Sequence, residues 1–272
     1  MTTKTMRRVL ASGLTCLIAL LIVGWAQTRE AQDGALPDGL RSGDVQVRRE
    51  AAAKSVRAIA RKDLKRVLPD LLPLLGDPDA EVRYYTAVAL GASAYASEAN
   101  AETLNQATPS LIASLADEDA RVRTAAADAI ALMMPHAPQS ASRTLVNLLK
   151  DKDAEVRTAA LGALARMDGM SPEAISSVVT TLRQDGDAKV RGRAADVLGA
   201  VRNADAAATV SALTEALADR DEFVKTEAVR ALGSIGPSAA AAVPSLKRMA
   251  EDPKQSPTVR SYADYALRSI EQ

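Results

Sequence analysis

The residues of this 272-residue chain that could do chemistry are few, and their spacing says what they are for. Acidic pairs recur as Asp77/Asp79, Asp117/Asp119, Asp151/Asp153, Asp185/Asp187 and Asp219/Asp221, each pair separated by one residue. Two such carboxylates resemble the opening of a calcium loop. The third oxygen ligand, the central glycine and the distal Glu of that loop are missing, so the pairs do not read as metal sites. Helix capping accounts for the second Asp of each pair and solvent-facing turn chemistry for the first. His136 is the single imidazole; it sits between Pro135 and Pro138, is followed by Ala137 and reads as a surface-loop residue. Cys16 is the single cysteine and lies in the apolar leader. No His-Glu-x-x-His, glycine-rich phosphate loop or Gly-x-Ser-x-Gly occurs. The reading is therefore of a chain with no catalytic residue, no bound metal and no cofactor.

What positions the acidic pairs is a repeat. Asp79-Ala-Glu-Val82-Arg83 returns as Asp119-Ala-Arg-Val122-Arg123, Asp153-Ala-Glu-Val156-Arg157 and Asp187-Ala-Lys-Val190-Arg191. Asp44-Val-Gln-Val47-Arg48 precedes these, and Asp221-Glu-Phe-Val224-Lys225 and Ser256-Pro-Thr-Val259-Arg260 follow. The basic residues stand at 48, 83, 123, 157, 191, 225 and 260, in steps of 35, 40, 34, 34, 34 and 35. Each phrase opens a helix A. Four and eight residues after its Val come pairs such as Ala126 and Ile130, Ala160 and Leu164, or Ala194 and Leu198, one apolar helical stripe. The Asp is read as capping the helix and pairing with the Arg one turn later, as Asp153 with Arg157. Lys54 and Ser55 break the stripe of the first unit, as expected of a terminal unit. A second apolar stretch follows in each unit, such as Leu68-Pro-Asp-Leu71-Leu72 or Val243-Pro-Ser-Leu246, and predicts a helix B. In the unit ending near 250, Gly236 stops helix A and Pro237 stands just beyond.

The pattern Asp-x-x-Val-Arg-x-x-Ala-x-x-Ala-Leu-Gly, then Ala-Val-Pro-x-Leu, resembles the HEAT repeat, in the short HEAT-like form of phycobilin lyase subunits. Residues 221–252 match almost throughout, 119–217 well and 44–77 loosely. The resemblance implies an all-α fold, a right-handed α-solenoid of about six to seven helix pairs, with helices B on the concave face. It also implies a binding scaffold, by analogy of fold. HEAT-type deoxyhypusine hydroxylase needs several His-Glu pairs, which one histidine cannot supply. A bilin lyase role would follow from the repeat subtype, but such lyases work in the cytoplasm and no residue here singles out a bilin pocket. A HEAT-like DNA glycosylase would need a basic groove lined with aromatics. Aromatics are only 3% of this chain and Lys+Arg equals Asp+Glu at 34 each, so no nucleic-acid partner is expected.

Residues 1–26 read as a targeting segment: Lys4, Arg7 and Arg8, then an apolar run from Val9, then Gly24-Trp25-Ala26 as a cleavage site. A secretory signal peptide is one reading and an uncleaved membrane anchor the other. In both, the remaining chain faces a compartment outside the cytoplasm, periplasmic or extracellular. Residues 27–43 read as a flexible linker and 44–272 as the solenoid. Loss of 1–26 would leave a net charge of about −3 and no cysteine, so packing alone would hold the exported chain together.

The residues flanking each helix B core position are expected to line the groove: Asp70 and Pro73, Ser110 and Ala113, Thr144 and Asn147, Val178 and Thr181, Ala212 and Glu215, Ser245 and Arg248. Of these Ser110, Thr144, Asn147, Thr181, Glu215, Ser245 and Arg248 are the candidate partner-binding residues. Such a groove is small, polar and nearly neutral, suited to a protein or peptide partner. The long step before Arg123 places an extra loop at 91–107, either a recognition element or an inert insertion. Three functions follow: an exported scaffold, a HEAT-like lyase or enzyme accessory subunit, and a structural spacer.

Overall fold

A computed structural model describes residues 39–59, 64–93, 101–133, 139–167, 169–201 and 206–272. The leader, most of the linker, His136 and residues 94–100 lie outside the described residues. Among those described every element is a helix. Helices A are α1 (Val45–Ile59), α3 (Ala80–Ser93), α5 (Ala120–Met133), α7 (Ala154–Leu164), α9 (Ala188–Ala200), α11 (Glu222–Ile235) and α13 (Pro257–Ile270). Helices B are α2 (Leu64–Leu71), α4 (Ala101–Ser114), α6 (Gln139–Leu148), α8 (Pro172–Gln184), α10 (Ala206–Ala216) and α12 (Val243–Glu251). The result is an α-solenoid of helix pairs, with α13 the last of the described helices.

The apolar stripe read from the repeat is the core. Val82, Val122, Val156, Val190, Val224 and Val259 are all 0% exposed, and Leu90, Ile130, Leu164, Leu198 and Leu232 are buried one stripe further on. Helices A pack side by side from α1 to α13, and each helix B from α4 to α12 lies against the helix A of the following unit. Neighbouring helices B meet at far fewer residues than neighbouring helices A. The A layer is close because its contacts are backbone against small residues. A Cβ built on Gly199 of α9 would come within 2.6 Å of the Ala231 Cα on α11. Helix α11 ends at Gly236, whose φ of 70° is the left-handed conformation that glycine adopts without strain.

Both ends of the array depart from the pattern. At the first, a turn of residues 39–42 lays Leu40, 6% exposed, over α1, while Val47 is 43% exposed. Ser55 is fully buried and donates its hydroxyl to the Ala51 carbonyl, which removes the cost of a polar group there. At the other end, α9 and α11 carry Ala195, Gly199, Val229 and Gly233 toward the next helix A, whereas the matching positions of α13 are Asp264 and Arg268, both exposed. Apolar stacking therefore stops at α13.

The long loop expected at 91–107 is corrected. Residues up to Ser93 complete α3 and Ala101 already begins α4, so helix occupies both ends of that segment. Pro109 stands inside α4. The Ala, Glu, Leu and Gln residues of 101–107 are good helix formers, and Pro109 removes one backbone hydrogen bond from the helix they form.

Candidate functional site

The acidic pairs become a ladder that joins one unit to the next. The second Asp of each pair caps helix A as expected: the Asp153 carboxylate accepts the Glu155 and Val156 amides, and Asp187 those of Lys189 and Val190. The first Asp is not solvent-facing turn chemistry. Asp185 accepts Arg157 of the preceding unit through two parallel bonds, Nε to Oδ2 and Nη2 to Oδ1, both 2.7 Å. The expected Asp153–Arg157 pair is thus replaced by a pair between units. The same fork joins Arg48 to Asp77, Arg83 to Asp117, Arg123 to Asp151 and Arg191 to Asp219. Each of these arginines also donates Nη1 to the carbonyl of its own loop, as Arg157 to Asp151 at 2.8 Å. One guanidinium therefore clamps two successive turns.

These pairs are largely dry: the Arg157 and Asp185 side chains are 14% and 7% exposed. The Arg191 bond holds the Asp219 carboxyl below its usual range. Burial pushes Asp117 up, but the bonds from Arg83 and the Asp119 amide outweigh it and the net value is lowered. In the first unit Arg49 holds Asp79 down to about 2. Both oxygens of the first Asp are engaged by a guanidinium, as in Asp185, and one is also on the amide two residues later. Among the described residues no group of three or more His, Cys, Asp or Glu could hold a metal.

One carboxyl behaves differently. Asp128 of α5 is half-buried, and burial pushes it up to about 6, against the pull of Arg193 and with the push of Glu155.

The candidate residues on helices B are placed unevenly. Asn147, Glu215 and Arg248 are exposed, and Ser110, Thr144 and Ser245 half-buried. Thr181 is only 7% exposed, with its hydroxyl donated to the Ser177 carbonyl, and Val178 and Ala212 are buried as well. These three do not share the outward face. In α8 that face is Ser176, Thr180 and Arg183, one residue away from the expected register. Val178, Val179 and Leu182 all turn inward, so the buried stripe is broad and takes Thr181 with it.

Much of the charge on this face is neutralised within it. Arg183 of α8 meets Glu215 of α10 through bonds of 2.8 and 2.7 Å, and Ser211 donates to the same carboxylate. Arg248 donates to the Ser245 hydroxyl at 3.0 Å, and Lys247 pairs with Glu271 at 3.1 Å. Arg183 was missed by sequence reasoning; its spacing of 32 from Glu215, nearly one repeat, was the signal. Ala113, Ala116 and Asn147 of the preceding units, with Thr180 of α8 and Ser211 of α10, are all exposed. Among the described residues this face is a surface of hydrogen-bonding and small groups.

The family model for HEAT repeats matches residues 34–131, 108–185 and 175–268. Among curated proteins none matches the chain. Among solved structures, an archaeal HEAT-like repeats protein from Thermococcus onnurineus NA1 is similar at TM-score 0.58 and 18% identity, over 82% of this chain and 95% of that one. An engineered protein matches at TM-score 0.58 and 26% identity over 85% of this chain, which spans 66% of that longer one. The complex of CpcE and CpcF of phycocyanin lyase from Nostoc sp. PCC7120 matches at TM-score 0.50 and 21% identity, over 89% and 99% of the two chains.

Proposed function

The chain belongs to the HEAT-repeat family, and on that premise we propose that it is an exported, non-catalytic scaffold that seats a protein or peptide segment on its helix-B face, the inner side of the array. The observation that carries this reading is the self-neutralised outward face of α8 and α10, where Arg183 and Glu215 satisfy each other and leave neutral donors and acceptors beside them. A polyanion would find little net charge there. A peptide would find hydroxyl and amide groups that bond to its backbone, with small side chains that let it approach closely. Two chains joined in one functional unit, as CpcE and CpcF are, give a precedent of fold for a protein partner. Export rests on the sequence of residues 1–26, with its basic start, apolar run and small-residue exit.

A photo-crosslinking side chain at Asn147 or Thr180 tests the face, with Lys189 on helix A as the matched exposed control. Expressed in the native cell, the full chain should give one protein adduct from Asn147 and Thr180 and none from Lys189. Adducts from Lys189 alone would place the interface on the A side and overturn the assignment. Fractionation of the same cells tests export: the bulk of the chain should leave the cytoplasm, and Arg7→Glu with Arg8→Glu should retain it.

A further inference from the structure

Among the described residues the clamp that joins the units is unfilled at α13. Arg260 occupies in α13 the position held by Arg48, Arg83, Arg123, Arg157 and Arg191, and Lys225 in α11 keeps a neutral version by donating Nζ to the Gln255 side chain at 3.2 Å. Arg260 has neither half of the clamp. Its Nε is buried with no hydrogen-bond acceptor. The loop before α13 carries Lys254 where the other loops carry the first Asp. Asp252, the nearest loop carboxylate, is already engaged by the Lys254 amide and the Gln255 side chain. A buried guanidinium N–H without an acceptor is costly to leave unmade and strongly rewarded when a carboxylate arrives.

We propose that α13 offers, at Arg260, a docking site for an acidic turn of a partner protein, whose Asp carboxylate completes the fork on Arg260 as the first Asp of each following unit does along the array. The surroundings suit a protein surface: Tyr262 and Tyr265 are 40% and 68% exposed on the same helix, with Arg268 beside them. Tyrosine and arginine are the residues that most often anchor such contacts. A second copy of this chain stacked head to tail is the wrong occupant. The residue its first unit offers at the acceptor position is Ser42, which carries no charge, and Asp264 stands where apolar stacking would need Ala or Val. This site is separate from the helix-B face, so loss of one would leave the other intact.

The test follows the Arg260 Nε–H resonance in the arginine-labelled full chain during titration with a synthetic peptide of residues 215–225, which carries Asp219 and Asp221. Saturable movement of that resonance is expected, at least ten-fold weaker for the peptide with Asp219→Asn. Arg260→Gln should abolish the binding yet melt like the parent, since Arg260 makes no native ion pair. Equal response to the Asn peptide, or to sodium acetate at the same carboxylate concentration, would overturn the proposal. So would unchanged peptide binding in Arg260→Gln, or dimers in sedimentation that this substitution dissociates.

Discussion

At the residue scale the ladder decides stability, and its arginines are not interchangeable surface charges. Arg157→Ala leaves the Asp185 carboxylate, 7% exposed, without its fork, a loss of about 3 kcal/mol. Leu164→Asp puts an uncompensated charge into a fully buried position and should cost at least as much. Urea midpoints of both variants check this; a loss below about 1 kcal/mol for Arg157→Ala would show the ladder to be solvated. The pH dependence follows from the lowered aspartates. A carboxyl lowered by folding contributes stability that is complete above its unfolded value near 4 and is lost as pH falls through its folded value, about 2 for Asp79. Unfolding should therefore set in between about pH 4 and 2. Asp128 has the opposite sign: its folded value near 6 lies above the unfolded one, so its destabilising effect appears as pH rises from about 4 to 6 and is complete above that. Asp128→Asn should stabilise by about 1–2 kcal/mol at pH 7.5 and by nothing at pH 4. A gain of equal size at both pH values would mean that charge is not the cause. The pairs themselves were legible in the sequence, but their partners were not. An Asp at the first position of five successive loops, where turn chemistry alone would admit Asn, Ser or Gly, was the overlooked signal.

At the scale of elements, helix A was legible throughout because one face is apolar and one end is capped. Helix B was harder. Its buried stripe is broad where β-branched residues cluster, as at Val178 and Val179, and Thr181 was placed on the wrong side for that reason. The spacing of helices A rests on glycine, which gives a contrast between two positions of similar sequence. Gly199→Ala would drive a Cβ into the Ala231 backbone, so α9 and α11 must separate. Overpacking of that kind costs about 1–3 kcal/mol, more than the roughly 1 kcal/mol that alanine adds to a helix. Gly162→Ala meets only the Arg193 Nη2 at 3.4 Å, the far end of a flexible side chain, and should be neutral or stabilising. Thermal melts of the two variants should move apart, with Gly199→Ala below the parent. If both rise, helix propensity and not the approach of the A layer governs these positions.

At the scale of the whole molecule, a linear array divides labour between its layers. Each unit touches only its neighbours, so stability is set locally by the ladder and the A layer, and the outward side of helices B is left to vary without unfolding the chain. The fold was legible because every unit repeats one pattern. The partner was not, because the outward positions of helices B follow no pattern that packing imposes. That division makes charge on the B face a clean probe of recognition. Asn147 of α6 and Thr180 of α8 are both exposed on adjacent helices, and neither makes a native ion pair. Asn147→Glu with Thr180→Glu adds two like charges to a surface that has balanced its own, and should leave the melting temperature unchanged. If a peptide segment lies across these helices, the added carboxylates lose water on binding and meet backbone carbonyls, weakening the complex by on the order of 2 kcal/mol. The loss should fall in part as salt is raised, because the rim of such a contact stays wet. A matched change on helix A, Lys189→Glu, should leave affinity untouched. Full affinity in the folded double variant, with loss in Lys189→Glu, would move the interface to the A layer.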